Sequence, residues 1–481
     1  MNKTSIFSAL ALTAAAVHSA PAEQPNVVVI LLDDLRWDAL GCMNHPFLKT
    51  PNIDRIAKEG VMFRNAFTTI AVCGPSRAGF LTGTYPQRNG VERNEQHRDP
   101  DPALPNLGQL MQNAGYETAF IGKWHMAHTA APRPGFDHWI SFEGQGVYID
   151  PKLNEDGRDF VKQGYMTDIL NDYAVEWLDR PHDKPFLLYL SHKAVHLDFT
   201  PAERHKKMYI GAQMPEPANW NDDLSSKPEW QRAGWTWKIM RKNWLANQGA
   251  PVPAALPPGP WDPNVTNMRL RYFQTLSAVD DSVGDIFQTL EKTGQLDNTL
   301  IIFTSDNGFR IPGAFRINSD KRTAHEESMR IPFLVRYPRL VKPGSESEKM
   351  ILNIDLLPTL LDLAGADIPA HVQGCSFKPL LAGNTPEGWR TEFFYEYFME
   401  SWVPGIPSVY CVRTEDWKYM MYPDIKEQKE LYIGLTDMDE LYNLKKDPNE
   451  LHNLAQNPEY SSKLQEMKTE LKRLQSMVGA K

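Results

Sequence analysis

The sequence predicts an α/β fold with a large mixed, mostly parallel central sheet flanked by helices, and a small C-terminal α+β subdomain with an antiparallel sheet. From about residue 25 to residue 390, apolar strand-like runs alternate with amphipathic segments, which is the α/β pattern. From residue 391 the apolar runs become short and aromatic, and a helical pattern closes the chain over 458–477. We therefore predict one domain over 23–390 and a subdomain over 391–481. The segments that carry this prediction are the helix candidates 104–114 and 268–293 and the aromatic runs 393–398, 408–412 and 417–422.

The chain begins with a pattern that is typical of a cleavable signal peptide. Residues 1–22 hold Lys3, then an apolar stretch, and then the small residues Ala20 and Ala22 near a plausible cleavage point. No later apolar run reaches the length needed to cross a membrane, and no cysteine follows the stretch to accept a lipid. The sequence thus predicts a periplasmic or secreted protein without a membrane anchor.

The charge and cysteine content exclude two broad classes of protein. The formal net charge is −9, whereas a general nucleic-acid-binding protein needs a basic face. Four cysteines in 481 residues are too few for a disulfide scaffold, and whether Cys42, Cys375 or Cys411 pair is left open. An acidic protein that handles an anionic substrate must concentrate positive potential in its pocket.

Two apolar runs end in oxygen-bearing residues. Residues 26–32 form a continuous apolar run that is followed by Asp33 and Asp34, and residues 300–305 are followed by Asp306 and Asn307. Each pair alone could be a turn or a helix cap. Ligands gather at the carboxyl ends of parallel strands, so the two pairs are expected to meet at one site. Three carboxylates and an amide favour Ca²⁺, with Mg²⁺ second, over zinc.

A motif of seven specified letters, C-x-P-S-R-x-x-x-L-T-G, begins at Cys73. A buried cysteine before a helix capped by Ser76 would explain the start of this run but not the remaining letters. The motif resembles the signature of the type I sulfatases of the alkaline phosphatase superfamily, in which a maturation enzyme converts the cysteine to formylglycine. The resemblance implies that residue 73 adds an oxygen to the metal site.

Formylglycine explains why such a residue is useful. Its hydrate, a geminal diol, can attack sulfur through one hydroxyl, and the resulting covalent sulfo-enzyme intermediate collapses by elimination to regenerate the aldehyde. A serine would form a stable ester instead. Because a hydroxyl is a weak nucleophile near neutral pH, a cation and a base are expected beside it.

Four further basic residues, at three places in the chain, belong to segments that resemble family segments. Lys123 and His125 belong to a G-K-W-H run after the strand candidate 118–121, His196 follows the strand candidate 186–190, and Lys321 begins a run that ends in R-I-P. Singly, such residues are more often solvated or structural. The resemblance implies that Arg77 holds the hydrate, that Lys123 and Lys321 bind sulfate oxygens, that His125 is the base, and that His196, with Lys321, protonates the leaving alcohol.

The resemblance covers nearly the whole chain after residue 22. Residues 440–454 are similar to the family segment E-L-Y-N-L-x-x-D-P-x-E-x-x-N-L. Two positions depart from the family pattern: Val195 stands where proline is frequent, and His325 stands where an aromatic residue is frequent. Residues 211–263 are the least similar, and their tryptophans are compatible with stacking on sugars or with packing of the insertion onto the domain surface.

The function implied by the resemblance is hydrolysis of sulfate esters. Residues 144–148, 165–168 and 191–196 are similar to a bacterial branch that includes N-acetylglucosamine 6-sulfatases and mucin-desulfating enzymes. We therefore expect an exo-acting enzyme on a 6-O-sulfated or related sugar. Two alternatives remain: a phosphate or phosphonate monoester hydrolase of the same superfamily, and an inactive glycan-binding homologue whose cysteine is never modified.

Overall fold

The computed structural model describes residues 24–219, 222–232, 265–310, 321–403, 405–423 and 438–480. The predicted signal peptide lies outside these residues, and so does most of the tryptophan-rich segment 211–263, of which residues 211–219 and 222–232 are described. The predicted boundary between residues 390 and 391 stays a prediction.

The strands of the described residues are β1 (Asn26–Leu32), β2 (Val61–Phe63), β3 (Ala66–Phe67), β4 (Glu117–Lys123), β5 (His138–Phe142), β6 (Lys152–Glu155), β7 (Arg158–Val161), β8 (Phe186–Ser191), β9 (Thr299–Ser305), β10 (Phe333–Arg336), β11 (Ser345–Ser347), β12 (Ile351–Leu352), β13 (Glu392–Tyr397), β14 (Val409–Thr414), β15 (Trp417–Met421) and β16 (Glu440–Asn443). The helices are α1 (Pro51–Lys58), α2 (Cys73–Thr82), α3 (Pro86–Asn89), α4 (Leu107–Asn113), α5 (Met166–Asp179), α6 (Glu229–Arg232), α7 (Val265–Lys292), α8 (Glu326–Met329), α9 (Leu356–Ala364), α10 (Lys378–Leu381) and α11 (Ser461–Val478).

The central sheet has ten strands in the order β11-β2-β10-β9-β1-β8-β4-β5-β6-β7. Its five middle strands, from β9 to β5, are parallel, whereas β10, β6 and β7 run antiparallel to their neighbours. Strands β13 to β16 form a separate antiparallel sheet near the C-terminus. The predicted α/β fold with a mixed, mostly parallel sheet and a smaller antiparallel one is confirmed.

Strand β1 shows why its sequence is apolar without interruption. All seven of its residues are buried, and successive side chains enter cores on opposite faces of the sheet. Val28 and Ile30 pack with α1, α5 and α7, whereas Val27 and Val29 pack with α2, α4 and α9. Each such side chain contributes about 1.5–3 kcal/mol through burial, so the strand fixes the position of whatever follows it.

The predicted helices are present, and each begins three residues from its predicted start. Helix α4 begins at Leu107 rather than at residue 104, because the Asn106 side chain accepts a hydrogen bond from the Gln109 N–H and caps the helix. Helix α11 packs Met467, Leu471 and Leu474 against the C-terminal sheet, as its spacing predicted. Among the described residues, no helix has both the length and the apolar character needed to cross a bilayer.

Candidate active site

The carboxyl ends of neighbouring strands β9, β1, β8 and β4 place polar residues side by side. Asp33 and Asp34 follow β1, and Asp306 and Asn307 follow β9, which pairs with β1 in parallel register from end to end. Carboxylate oxygens of Asp33, Asp34 and Asp306 lie within 4.8 Å of one another, and all three side chains are buried. We call Asp33, Asp34, Asp306, Asn307 and Cys73 the strand-end cluster.

The strand-end cluster fits a hard divalent cation. The Asn307 amide donates to Asp34 Oδ1 at 2.7 Å, while its own oxygen, Oδ1, is buried without a hydrogen-bond partner. Burial, together with the charges of Asp33 and Asp306, raises the pKa of Asp34 to about 7. Burial and the charge of Asp33 also raise the pKa of Asp306. A cation held by these oxygens would reduce the repulsion between the carboxylates and would give the Asn307 oxygen a partner. Ca²⁺ and Mg²⁺ are held by oxygen ligands of this kind.

Cys73 is the first residue of α2, at the positive end of that helix. Its Sγ lies 3.4 Å from Asp33 Oδ1 and 2.6 Å from Lys321 Nζ, and the residue is fully buried. Burial, reinforced by the charge of Asp33, raises the pKa of the thiol to about 12. The alternative in which Ser76 caps the helix does not hold, because Ser76 lies inside α2 and its hydroxyl donates to the Asp306 carbonyl at 2.5 Å.

Arg77 lies one helical turn after Cys73 and is buried against the acidic residues. Its guanidinium is 2.9 Å from Asp306 Oδ2 and 3.5 Å from Asp33 Oδ2. Nη1 also donates to the Lys123 carbonyl at 2.8 Å and to the Ser191 hydroxyl at 2.6 Å. Arg77 therefore connects the ends of β9, β1, β4 and β8 and fixes the distance between them.

Two buried lysines flank the carboxylates. Lys123 Nζ, at the end of β4, bonds Asp33 Oδ2 and donates to Gln145 Oε1 at 2.5 Å. Lys321 Nζ donates to Asp34 Oδ1 at 2.5 Å. Burial opposes ionisation of Asp33, but the charges of Lys123 and its neighbours hold the pKa of that carboxyl well below its usual range. The lysines therefore place positive charge against the strand-end cluster.

Burial lowers the pKa of both predicted histidines. His196 Nδ1 donates to the Leu197 carbonyl at 2.8 Å, so Nε2 is the atom that faces Asp34 Oδ2, at 3.7 Å. Burial, with the charges of Lys123 and Lys321, lowers its pKa against the opposing effect of Asp33. His125 has a φ of 59°, and its buried Nδ1 has no hydrogen-bond partner. Burial and the charge of Lys123 lower its pKa as well.

Three further polar residues, two in contact with this group and one beside His196, were not predicted as site residues. Ser191 is the last residue of β8 and accepts a hydrogen bond from Arg77. Because ligands gather at the carboxyl ends of parallel strands, the reasoning that selected Asp33 would also have selected Ser191. Gln145 contacts Lys123, and Lys193 donates to the Leu197 carbonyl at 3.0 Å beside the Tyr148 ring. Burial, with the charge of Lys123, lowers the pKa of Lys193 to about 8. Gln145 and Lys193 lie in the family-like runs 144–148 and 191–196, which were the signal that could have identified them.

Three other expectations concern residues outside this group. Cys42, Cys375 and Cys411, whose pairing the sequence left open, are free thiols in the structure. His325 is buried and its Nδ1 lies 3.3 Å from Arg310 Nη1. Of the tryptophans in 211–263, Trp230 is described, and it is buried beside the Tyr422 ring; Trp220, Trp235, Trp237, Trp244 and Trp261 lie outside the described residues.

Comparisons with known proteins agree with this arrangement. Residues 25–366 match the sulfatase family model, and residues 315–477 match the model of the C-terminal region of N-sulphoglucosamine sulphohydrolase. The chain is 34% identical over 458 residues to an N-acetylglucosamine-6-O-sulfatase of Bacteroides thetaiotaomicron, covering 85% of this chain and 80% of that one. It is 31% identical to the human N-acetylglucosamine-6-sulfatase, covering 79% and 68%.

A solved structure shares the fold over nearly the whole chain. The structure of BT4656 in complex with its substrate D-glucosamine-2-N,6-O-disulfate superimposes with a TM-score of 0.82 at 33% identity, covering 95% of this chain and 98% of that one. The family match spans well over half of the chain, and the resemblance expected from the Cys73 motif is confirmed. The chain therefore belongs to the sulfatase family and is a sulfuric ester hydrolase.

Proposed function

We propose that this enzyme removes O-sulfate groups from sulfated glycans, acting from the chain end on a 6-O-sulfated glucosamine or a related sugar. The observation that carries the proposal is the position of Cys73, whose Sγ is 2.6 Å from Lys321 Nζ and 3.4 Å from Asp33 Oδ1. The choice of sugar is supported by the 6-sulfatase relatives and by the glucosamine disulfate bound in the similar solved structure.

The nucleophile in this proposal is a formylglycine made from Cys73, whose hydrate supplies a hydroxyl in place of the thiol. A Ca²⁺ ion, with Mg²⁺ the less favoured choice, would be held by Asp33, Asp34, Asp306, Asn307 and residue 73, and would supply positive charge beside the nucleophile.

The chain's own residues would perform the remaining tasks. Arg77, held by Asp306, orients residue 73. Lys123 and Lys321 bind sulfate oxygens and stabilise the charge that develops on them. His125 accepts a proton from residue 73, and His196, when both of its ring nitrogens are protonated, donates the Nε2 proton to the leaving alcohol, with Lys321 beside it. The hydrogen bond from His196 Nδ1 to the Leu197 carbonyl supports this role, because it fixes which nitrogen faces the site.

The proposal extends to partners and location. A maturation enzyme that generates formylglycine is required, and the N-terminal pattern of residues 1–22 supports export to the periplasm or the medium. The substrate is a sulfated carbohydrate outside the cytoplasm, and buried Arg77, Lys123 and Lys321 would supply the positive charge that such an anion needs in a chain of net charge −9.

The proposal is tested with protein produced in a host that forms formylglycine. Mass spectrometry of the tryptic peptide ending at Arg77 should show a loss of about 18 Da relative to unmodified cysteine. A panel of sulfated mono- and oligosaccharides should then give the highest kcat/KM for a terminal 6-O-sulfated sugar. An unmodified peptide from a competent host would favour a glycan-binding protein, and a higher kcat/KM on matched phosphate esters would favour a phosphatase.

A further inference from the structure

Two loops that are distant in the sequence run side by side next to Cys73. One precedes α4 and the other connects β13 to β14 in the C-terminal sheet. Three consecutive residues of each loop are paired by hydrogen bonds of 2.8–3.0 Å: Arg93 with Met399, Asn94 with Glu400, and Glu95 with Ser401.

Glu400 makes the central contact of this pairing and is fully buried. Its Oε1 accepts from the Asn94 backbone N–H at 3.0 Å, and its Oε2 accepts from Arg322 Nε at 2.7 Å. The Trp402 ring covers the Arg322 guanidinium at 4.6 Å. The carboxylate of Glu400, in the loop between β13 and β14, thus joins the loop that precedes α4 to the segment that contains Lys321 and Arg322.

Each of the two bridged segments is connected to Cys73 through one intervening residue. The Asn94 side chain accepts from the backbone N–H of Gly74, the neighbour of Cys73, at 2.9 Å. Arg322 is the neighbour of Lys321, whose Nζ lies 2.6 Å from Cys73 Sγ. Displacement of Glu400 would therefore move Lys321 and residue 73 relative to each other.

Tyr395 of β13 makes a second connection to the same two segments. Its buried hydroxyl donates to the Arg322 carbonyl at 2.9 Å and accepts from the Ala71 N–H at 3.3 Å. The Arg322 N–H in turn donates to the Ala71 carbonyl at 3.0 Å. The backbone and the side chain of Arg322 are therefore both held by the C-terminal sheet.

We propose that Glu400 and Tyr395 are positioning residues, through which the C-terminal sheet sets the separation between Lys321 and residue 73. The inference rests on the proposed function and deepens it, because it gives this sheet a part in the chemical step. Reacting groups misplaced by about 1 Å lose up to about 100-fold in rate. Removal of a hydrogen bond that orients an active-site residue lowers activity by a similar factor, about 10- to 100-fold.

The test compares two variants with two matched controls. Glu400→Gln keeps the size of the side chain but removes the charge beside Arg322, and Tyr395→Phe removes one hydroxyl. Glu396→Gln is the control for the first, because Glu396 is also fully buried on β13 but bonds Gln87 instead. Tyr419→Phe is the control for the second, because its buried hydroxyl donates to Asp439 Oδ2 at 2.8 Å within the C-terminal region.

We expect kcat on a sulfated sugar to fall about 10- to 100-fold in Glu400→Gln and Tyr395→Phe, with KM nearly unchanged. An activated aryl sulfate should lose less, because its leaving group depends less on a well-placed Lys321. Rates are normalised to the formylglycine content and to the folded fraction measured by thermal unfolding, so a loss of stability alone does not count.

Three results would overturn the inference: normalised rates that equal the wild type, losses as large in Glu396→Gln and Tyr419→Phe, or equal losses on the sugar and the aryl sulfate. If Glu400→Gln does not fold, Tyr395→Phe decides the question by the same comparison. A wild-type protein that carries formylglycine but hydrolyses no sulfate ester would instead refute the proposed function, and the inference with it.

Discussion

Two groups of buried charges differ in how their atoms are satisfied. Glu326, Arg413, Lys418 and Glu450, which we call the Glu326 network, join α8 to the C-terminal sheet. Lys418 Nζ lies 2.8 Å from Glu326 and 2.6 Å from Glu450, and Arg413 lies 3.3 Å from Glu326. Burial opposes ionisation of Glu326, but the charges of Arg413 and Lys418 lower its pKa. Within the described residues, each of these charged groups has a partner.

The strand-end cluster is as deeply buried, but its carboxylates crowd one another and one of its polar oxygens has no partner. Asp34 has its pKa raised to about 7 by burial and by its acidic neighbours, and the Asn307 oxygen has no partner. A buried polar atom without a partner destabilises the fold by about 1–3 kcal/mol. Burial of charged residues alone therefore does not identify a functional site, whereas crowded carboxylates beside an unpartnered oxygen indicate a site that binds a cation.

The largest expected effect is at residue 73. Cys73→Ala should lower kcat by about a millionfold, as expected when a hydrolase loses its nucleophile. Cys73→Ser should allow at most a slow or single turnover, because the serine ester cannot collapse to an aldehyde. Steady-state and burst kinetics on an aryl sulfate measure both. Multiple turnovers by Cys73→Ser at more than a trace of the wild-type rate would remove formylglycine from the mechanism.

The next effect concerns His196 and depends on the substrate. His196→Ala should lower kcat about 10²- to 10⁴-fold on a sulfated sugar, whose alcohol is a poor leaving group. The loss on an activated aryl sulfate should be far smaller. Parallel assays of the two substrates with one protein preparation give the ratio directly. Equal losses would exclude His196 as the general acid.

The Glu326 network should matter for stability rather than for metal binding. Glu326→Gln leaves Lys418 and Arg413 short of a buried negative charge, so the free energy of unfolding should fall by about 3–5 kcal/mol. Urea titration measures this loss, and calorimetric Ca²⁺ binding should remain within about twofold of the wild type. Unchanged stability, or a lost Ca²⁺ site, would contradict the distinction between the two clusters.

Ca²⁺ should stabilise the protein through the strand-end cluster. At a free concentration about 100 times its Kd, a ligand that binds only the folded state adds about 2.7 kcal/mol to the free energy of unfolding. The chelated protein should therefore melt at a lower temperature, and Asn307→Ala should show a smaller response to Ca²⁺. A melting temperature indifferent to chelator and to Ca²⁺ would refute the metal site.

The smallest effect is the pH dependence of that stabilisation. Because the pKa of Asp34 is raised to about 7 in the metal-free fold, its carboxylate is partly protonated below that pH. In the absence of metal, this group makes folding less favourable as pH rises from its unfolded pKa, about 3.9, towards 7. Ca²⁺ binds the ionised form, so its thermal shift should be larger at pH 8 than at pH 6. A shift that is equal at both pH values would contradict this account.

Much of the fold and of the strand-end cluster could be predicted because the relevant signals are local. Uninterrupted apolar runs indicated β1 and β9. Asp33 and Asp306, which follow these strands, could then be predicted as site residues because ligands bind at the carboxyl ends of parallel strands. Strands β6 and β7, the last two of the sheet, are short and largely polar, so their sequences do not differ from those of loops. The contact between Glu400 and Asn94 joins positions 306 residues apart, and no periodicity relates them.

The complete burial of Cys73 has a consequence for biosynthesis. On the proposed modification, the maturation enzyme must reach a thiol that the finished fold covers with Asp33, Lys321 and the start of α2. Lys321 leaves the ribosome about 250 residues after Cys73, which at about 5–20 residues per second leaves the thiol uncovered for tens of seconds at the low end of that rate. Oxidation of the thiol therefore competes with folding, and a chain that folds too soon would be trapped without its nucleophile.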